Sequence, residues 1–91
     1  IDASELMEKL SSRYHLVALE TSNASTNLFG TPLPEHMALV VGNESQGISK
    51  ELLQQCTLQV HIPLTGPVKS LNVAQAAGLC LFEWLRQHIL V

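Results

Sequence analysis

The sequence predicts an α/β fold, a parallel sheet with flanking helices, from three observations. Three short apolar runs have the nearly continuous pattern of strands buried on both faces: His15–Leu19, Leu39–Val41 and Leu58–Ile62. Segments with helical periodicity alternate with these runs. Each run ends in a polar loop. Three strands are few beside the ordinary mean of about five to six, so we expect a neighbouring segment to supply more.

The helices follow from caps and periodicity. Asp2 stands three residues before Glu5, the spacing of a capping box, and predicts a helix from about Ala3 to Arg13. Ser49 is placed to cap a second helix that runs through Cys56.

The remaining segments are a long connection and a long helix. Residues 21–36 are rich in Ser, Thr, Asn and Pro, and predict a surface connection with one short helical turn at most, anchored by Leu28 and Phe29. Residues from about Ser70 to Ile89 predict a helix that is apolar nearly all round.

Length and composition indicate a single small domain. The 91 residues are 46% apolar and 14% charged, with a formal charge of −3. The five basic residues are scattered, which weighs against a polyanion-binding surface built by this segment alone. Cys56 and Cys80 are interpreted as reduced, largely buried thiols, and we expect no metal site.

The same data bear on location. The most apolar stretch, Val73–Leu85, is too short to span a bilayer, and no signal peptide is visible, so we expect a soluble, cytoplasmic protein without membrane contact. The chain begins at Ile1 and not at Met, which suggests a piece of a longer protein.

Two loops at strand ends carry the chemistry. The segment Gly42–Gly47 has the glycine spacing of a phosphate loop, but Ile48 stands where that motif requires lysine. It does not fit the Rossmann fingerprint either. What remains is a tight turn whose backbone groups, with those of the loop Thr65–Asn72, could bracket a purine edge. Ordinary turns, with Ser and Asn capping a helix, are the alternative.

Three segments carry a family resemblance. Read together and in this order, three segments resemble the region of the SpoU family that contains its second and third motifs: VGNESQG (41–47), HIPLTG (61–66) and KSLNVAQAAG (69–78). This family belongs to the SPOUT superfamily and comprises RNA 2′-O-ribose methyltransferases. The likeness extends more weakly through LVALETSNAS (16–25) to about residue 1, so that residues 1–91 resemble a single, partial SpoU-type domain.

The resemblance implies a deep trefoil knot at the C-terminal end, with the cofactor-binding knot at about residues 39–91 and S-adenosylmethionine bound in it. Carried over by position, the cofactor-binding residues would be Gly42, Ile62 and Leu71, mainly through backbone groups, with Leu19 as a weaker candidate. Glu44 would help to build the site, across a dimer interface. Ser70 and Asn72 would lie near the methyl donor and the target ribose, and with Glu44 they are the candidate catalytic residues that the resemblance implies.

One departure concerns activity. In the family, an arginine in an earlier Asn…Arg motif is usually assigned to hold the 2′-hydroxyl and to help remove its proton. This sequence has no such motif. Neither Arg13 nor Arg86 can be equated with it, so the N-terminal part of the domain is interpreted as absent. We therefore expect residues 1–91 alone to be inactive.

The implied partners are RNA, either tRNA or rRNA, and a second copy of the chain. The homodimer would form through the last helix, by Phe82, Trp84 and Leu85. Two alternatives to an enzyme stay open: a non-catalytic module that binds the cofactor or only dimerises, and an unrelated nucleotide-binding domain. His61 is either a catalytic base or a satisfied or edge-exposed histidine. Lys69 either contacts a carboxylate or RNA phosphate, or is solvated.

Overall fold

The computed structural model of the protein describes residues 3–43, 46–64 and 71–90. Helices and strands alternate, which confirms the α/β class. The elements are α1 (Ala3–Ser11), β1 (His15–Leu19), β2 (Thr26–Asn27), a 3₁₀ turn (Leu28–Gly30), β3 (Met37–Val41), α2 (Lys50–Gln55), β4 (Leu58–His61) and α3 (Val73–His88).

The four strands form one parallel sheet in the order β2-β4-β1-β3. The central strand β1 pairs with β3 on one side and β4 on the other, so that Leu19 lies opposite both Val41 and Val60. Because all strands run the same way, the loops that follow β1, β3 and β4 meet at one edge. The predicted knot depends on residues 65–70, which lie outside the described segments, and stays a prediction.

The strand β2 was missed by the sequence analysis. Thr26 and Asn27 were predicted to lie in a surface connection, but they pair with Val60 and His61 as a short edge strand. Both residues are exposed, and a two-residue strand that pairs through its backbone leaves no apolar pattern. Of the two predicted anchors, Leu28 is fully buried whereas Phe29 is 51% exposed.

Helix ends differ from the expectations by a few residues. The helix α1 ends at Ser11 and not at Arg13, and its predicted cap at Asp2 lies outside the described residues. Ser49 does cap α2, and its side chain accepts a hydrogen bond from the Leu52 N–H. The last helix starts at Val73, after Asn72.

The core lies around β1, which is buried on both faces as predicted. Val17 packs with Leu28, Val60 and Cys80 in the main cluster, on the side of the sheet that α3 covers. The neighbouring residues Leu16 and Ala18 point to the opposite face and are at most 1% exposed. No helix among the described residues is long and apolar enough to cross a membrane.

The inward face of α3 carries polar as well as apolar side chains. Cys80, Glu83, Trp84 and Gln87 follow the i, i+3, i+4, i+7 spacing of one helical face. Trp84 packs against the core, and its indole N–H donates to the Pro34 and Glu35 carbonyls at 3.0 and 3.2 Å. Trp84 therefore stabilises its own chain, and is a poor probe of the predicted dimer interface.

Glu83 is the centre of a hydrogen-bond network that fastens α3 to the connection before β3. The carboxylate is 4% exposed and accepts from the Arg86 guanidinium at 2.6 and 2.8 Å, and from the Gln87 amide at 2.9 Å. Gln87 also donates to the Thr31 carbonyl and accepts from the Leu33 N–H. The hydrogen bonds from Arg86 and Gln87 lower the pKa of Glu83 to about 2.

Both cysteines are free thiols, and Cys80 is fully buried. Burial, together with the nearby charge of Glu83, raises the pKa of Cys80 to about 11. The thiol therefore stays protonated at neutral pH and behaves as a small apolar side chain.

Glu83→Gln is expected to lower stability at pH 7 by about 1.5–3 kcal/mol, the range for hydrogen bonds to charged groups. The pKa of Glu83 is lowered from its ordinary value of 4.5 to about 2 in the folded chain. Its stabilisation is thus complete above pH 4.5 and disappears as the pH falls towards 2. Urea unfolding from pH 7 to 2 should show that the deficit of the variant shrinks over this range. A deficit that is constant with pH would contradict the assignment, and Glu8→Gln on α1 is the control.

Candidate cofactor site

A pocket of about 210 Å³ opens at the edge of the sheet where β1, β3 and β4 end. Its wall combines apolar side chains with loop backbone. The residues that line it are Leu19, Glu20, Thr21, Val41, Gly42, Asn43, Gly47, His61, Ile62, Leu64, Leu71, Val73 and Ala76. Ligand pockets commonly have about 300–1,000 Å³, so the described residues form a part of a larger site or a small one.

The four residues predicted to bind a cofactor all line this pocket. Leu19 ends β1, Gly42 follows β3, Ile62 follows β4 and Leu71 precedes α3. They are separated by up to 52 positions along the chain, from 19 to 71, and the parallel sheet brings them to one place. Their contacts with a cofactor stay a prediction.

The loop after β3 is a tight backbone turn. Asn43 accepts from the Gly47 N–H at 3.0 Å through its carbonyl and from the Gln46 N–H at 2.6 Å through its side chain. Gly47 has φ +70°, a conformation that side chains disfavour. A Cβ placed on Gly42 would overlap the Gly47 carbonyl group, so glycine is required where the two ends of the loop touch.

Glu20 fastens this loop to the central strand, a role that the sequence analysis did not foresee. Its Oε1 accepts from the Ile48 N–H at 3.0 Å, and its own N–H donates to the Val60 carbonyl at 3.0 Å. The residue is half-buried and lines the pocket. The one available signal was its position directly after a buried strand, at the edge where parallel strands carry ligand sites.

His61 also lines the pocket, and its Nδ1 lies 2.8 Å from the Ser25 Oγ. The Ser25 hydroxyl is within 2.8 Å of the Ser22 carbonyl as well. When it donates to that carbonyl, the His61 ring must donate to it in turn. Of the two interpretations given to His61, a satisfied histidine at the sheet edge agrees with this hydrogen bond.

The three predicted catalytic residues are only partly described. Asn72 caps α3: its side-chain oxygen accepts from the Ala74 and Gln75 N–H groups at 2.8 and 3.4 Å. It is exposed and follows the pocket residue Leu71 directly, but does not itself line the pocket as described. Glu44, Ser70 and also Lys69 lie outside the described residues.

The charge of the pocket wall is simple. Among the described lining residues, Glu20 is the one that carries a formal charge at pH 7, with His61 counted as neutral. Within residues 3–43, 46–64 and 71–90 no group of three His, Cys, Asp or Glu side chains could hold a metal ion.

A parallel sheet with a loop-built pocket at its carboxyl edge is the arrangement typical of α/β domains that bind small molecules. Residues 2–82 match the model of the SpoU rRNA Methylase family. The chain therefore belongs to the SpoU rRNA methylase family, and the alternative of an unrelated nucleotide-binding domain is excluded.

Relatives and solved structures agree with this assignment. The chain is 36% identical over 84 residues to the 23S rRNA (guanosine-2′-O-)-methyltransferase RlmB of Pasteurella multocida, covering 91% of the chain and 34% of that protein. It is 35% identical over 85 residues to the mouse (Mus musculus) tRNA (guanosine(18)-2′-O)-methyltransferase TARBP1, covering 93% of the chain and 5% of that protein.

The crystal structure of the SpoU methyltransferase AviRb from Streptomyces viridochromogenes, in complex with the cofactor AdoMet, superposes with a TM-score of 0.84 at 29% identity. The match covers 99% of this chain and 38% of AviRb. The chain thus spans about a third of the RlmB and AviRb proteins that it matches.

Proposed function

We propose that the protein to which this chain belongs transfers a methyl group from S-adenosylmethionine to a ribose 2′-hydroxyl in tRNA or rRNA. This chain would supply the cofactor pocket and a dimerisation surface. The observation that carries the proposal is that Leu19, Gly42, Ile62 and Leu71 line one pocket. Membership in the SpoU family and the AdoMet complex of AviRb support the choice of cofactor.

The pocket residues fit an adenosine-type ligand. Apolar side chains from three strand ends offer a surface for a flat purine ring, since ligand pockets are mainly apolar with a few polar groups that fix orientation. Gly42 and Gly47 line the pocket, and a Cβ on either would collide with the loop or with Glu20. Glycine at both positions therefore allows the loop to close and to offer main-chain groups at the pocket wall.

Methyl transfer requires little covalent chemistry from the residues of the protein. When bound, the cofactor supplies a methyl group that is already activated on a sulfonium. The residues of the protein must hold the ribose hydroxyl in line with it and help to remove a proton. By the family resemblance, we assign Ser70 and Asn72 to the neighbourhood of the methyl donor and the target ribose, and Glu44 to building the site across a dimer interface. Capping hydrogen bonds hold the Asn72 side chain in place.

Calorimetry and methyl transfer test the proposal in two steps. Titration of the chain with S-adenosylmethionine should give saturable binding, whereas absence of heat and of a thermal shift at millimolar ligand would contradict the cofactor assignment. Transfer of labelled methyl groups to bulk tRNA and rRNA should occur with the full-length protein. Loss of labelling on RNA carrying 2′-O-methyl groups would identify the ribose as the acceptor, and labelling of the bases would contradict it.

A non-catalytic role is the second candidate, because this sequence lacks the Asn…Arg motif expected of the family. We expect residues 1–91 to bind the cofactor and to show no turnover. Turnover by these residues alone would contradict that expectation, and a full-length protein that binds the cofactor without turnover would favour the non-catalytic module.

We also propose a homodimer through the outer face of α3. The inward face of this helix contains Glu83 and Gln87, whereas Leu81 and Phe82 are 52% and 61% exposed and Ile89 is 61% exposed. A helix that turns its apolar side chains outward presents a surface for a partner. A second copy of the chain fits best, because the same apolar stripe on both copies is self-complementary under two-fold symmetry.

A further inference from the structure

Glu20 is held at the pocket wall by one hydrogen bond of its backbone and one of its carboxylate. Its main-chain N–H donates to β4 at the Val60 carbonyl, and its Oε1 accepts from the Ile48 N–H. Gly47 lies directly against the carboxylate, where a Cβ would collide with Oε1. The backbone of Glu20 is therefore fixed to β4, and its carboxylate is fixed to the loop after β3.

This placement puts a fixed negative charge at the wall of the pocket. Glu20 is half-buried, and the rest of the described wall consists mainly of apolar side chains and backbone, with Thr21, Asn43 and His61 as its other polar side chains. A charge at a partly desolvated site interacts more strongly with a ligand charge than one in bulk water. No other described residue of the wall has a formal charge to compensate it.

We propose that Glu20 makes the site discriminate between the cationic methyl donor and its neutral product. The inference rests on the proposed function. Methyl transfer breaks the bond between sulfur and the methyl carbon, and the electron pair stays on sulfur, so that a sulfonium becomes an uncharged thioether. The acceptor oxygen gains the methyl group, and its proton is released to the solvent, so that the positive charge leaves the site. A carboxylate in the wall attracts the sulfonium and loses that attraction once the thioether has formed, which favours release of the product.

A purely positioning role for Glu20 makes a different prediction. Glu20→Gln keeps an oxygen that accepts from the Ile48 N–H, and removes only the charge. If Glu20 serves only to hold the loop, this variant should bind S-adenosylmethionine and S-adenosylhomocysteine as the wild type does. If the charge selects the sulfonium, only the affinity for S-adenosylmethionine should fall.

Calorimetric titration of both compounds into wild type and Glu20→Gln decides between these roles. We expect the affinity for S-adenosylmethionine to fall about fivefold, and that for S-adenosylhomocysteine to change by less than about twofold, as for one ionic contact in a partly solvated site. Glu8→Gln, on the exposed surface of α1, makes the same change in net charge and is the matched control. Thermal melts of both variants report whether the fold is kept.

The outcomes separate this inference from the proposed function. Wild-type protein that binds neither compound would contradict the cofactor assignment itself. If the wild type binds and Glu20→Gln has the same ratio of affinities for the two compounds as the wild type, the cofactor assignment stands. The proposed role of the charge would then be overturned. An equal loss of both affinities would also overturn it, since an effect of the charge must distinguish the sulfonium from the thioether.

Discussion

Gly42→Ala is expected to weaken S-adenosylmethionine binding by about 10–100-fold, which corresponds to roughly 1.4–2.8 kcal/mol. The cause is steric. A methyl group on Gly42 would overlap the backbone of Gly47 and come against the N–H of Ile48. These are backbone atoms and cannot rotate away as a flexible side chain would. The loop must therefore open. Its opening breaks the Glu20–Ile48 hydrogen bond and displaces this part of the pocket wall.

The control for this variant is another glycine where a methyl group meets nothing. A Cβ on Gly30 has no neighbour within 4 Å, and the residue lies in the 3₁₀ turn away from the pocket lining. Gly30→Ala should bind the cofactor as the wild type does. Isothermal calorimetry gives both affinities, and circular dichroism shows whether the sheet is intact. If Gly42→Ala binds as tightly as Gly30→Ala, the loop is not part of the site.

The strands of the sheet could be predicted where burial requires a continuous run of apolar residues. The strand β1 is buried on both faces and so must be apolar at every position from Leu16 to Leu19. The start of helix α2 is predicted by Ser49, because a serine side chain at this position caps the helix. The strand β2 has no such signal, since Thr26 and Asn27 contribute backbone pairing and expose their side chains.

The candidate site was likewise predictable only in part. The four cofactor residues came from the family resemblance and not from composition, and the sheet topology explains why positions so far apart meet. Glu20 was missed because a single charged residue after a strand resembles any loop residue. Its role depends on a hydrogen bond to Ile48, 28 residues later in the chain, which no local pattern encodes.

The orientation of α3 could not be obtained from periodicity. A helix that is apolar nearly all round does not indicate which face is inside, and Phe82, Trp84 and Leu85 were assigned together to an interface. Trp84 turns inward because its indole N–H reaches two carbonyls, whereas Phe82 is left 61% exposed. The polar inward residue Glu83 is tolerated because Arg86 and Gln87 satisfy it.

This orientation makes Phe82→Asp the sharper test of the dimer. Burying a phenylalanine side chain stabilises an interface by about 1.5–3 kcal/mol, and a two-fold dimer contains the residue twice. An aspartate there would also lose hydration on burial. We therefore expect the dimer dissociation constant to rise at least about 100-fold, as roughly 3 kcal/mol of lost association energy requires. Sedimentation equilibrium measures it directly.

The second phenylalanine of the chain supplies the matched control. Phe29 is 51% exposed in the 3₁₀ turn, so Phe29→Asp makes the same chemical change at a comparable exposure. It should leave the dimer intact if α3 forms the interface. Equal dissociation in both variants would mean that the effect is not specific to α3. A Phe82→Asp protein that stays dimeric would contradict the interface. Trp84→Glu cannot make this distinction, because it also removes hydrogen bonds and core packing inside each chain. Loss of the dimer in that variant would not separate an interface effect from a destabilised monomer.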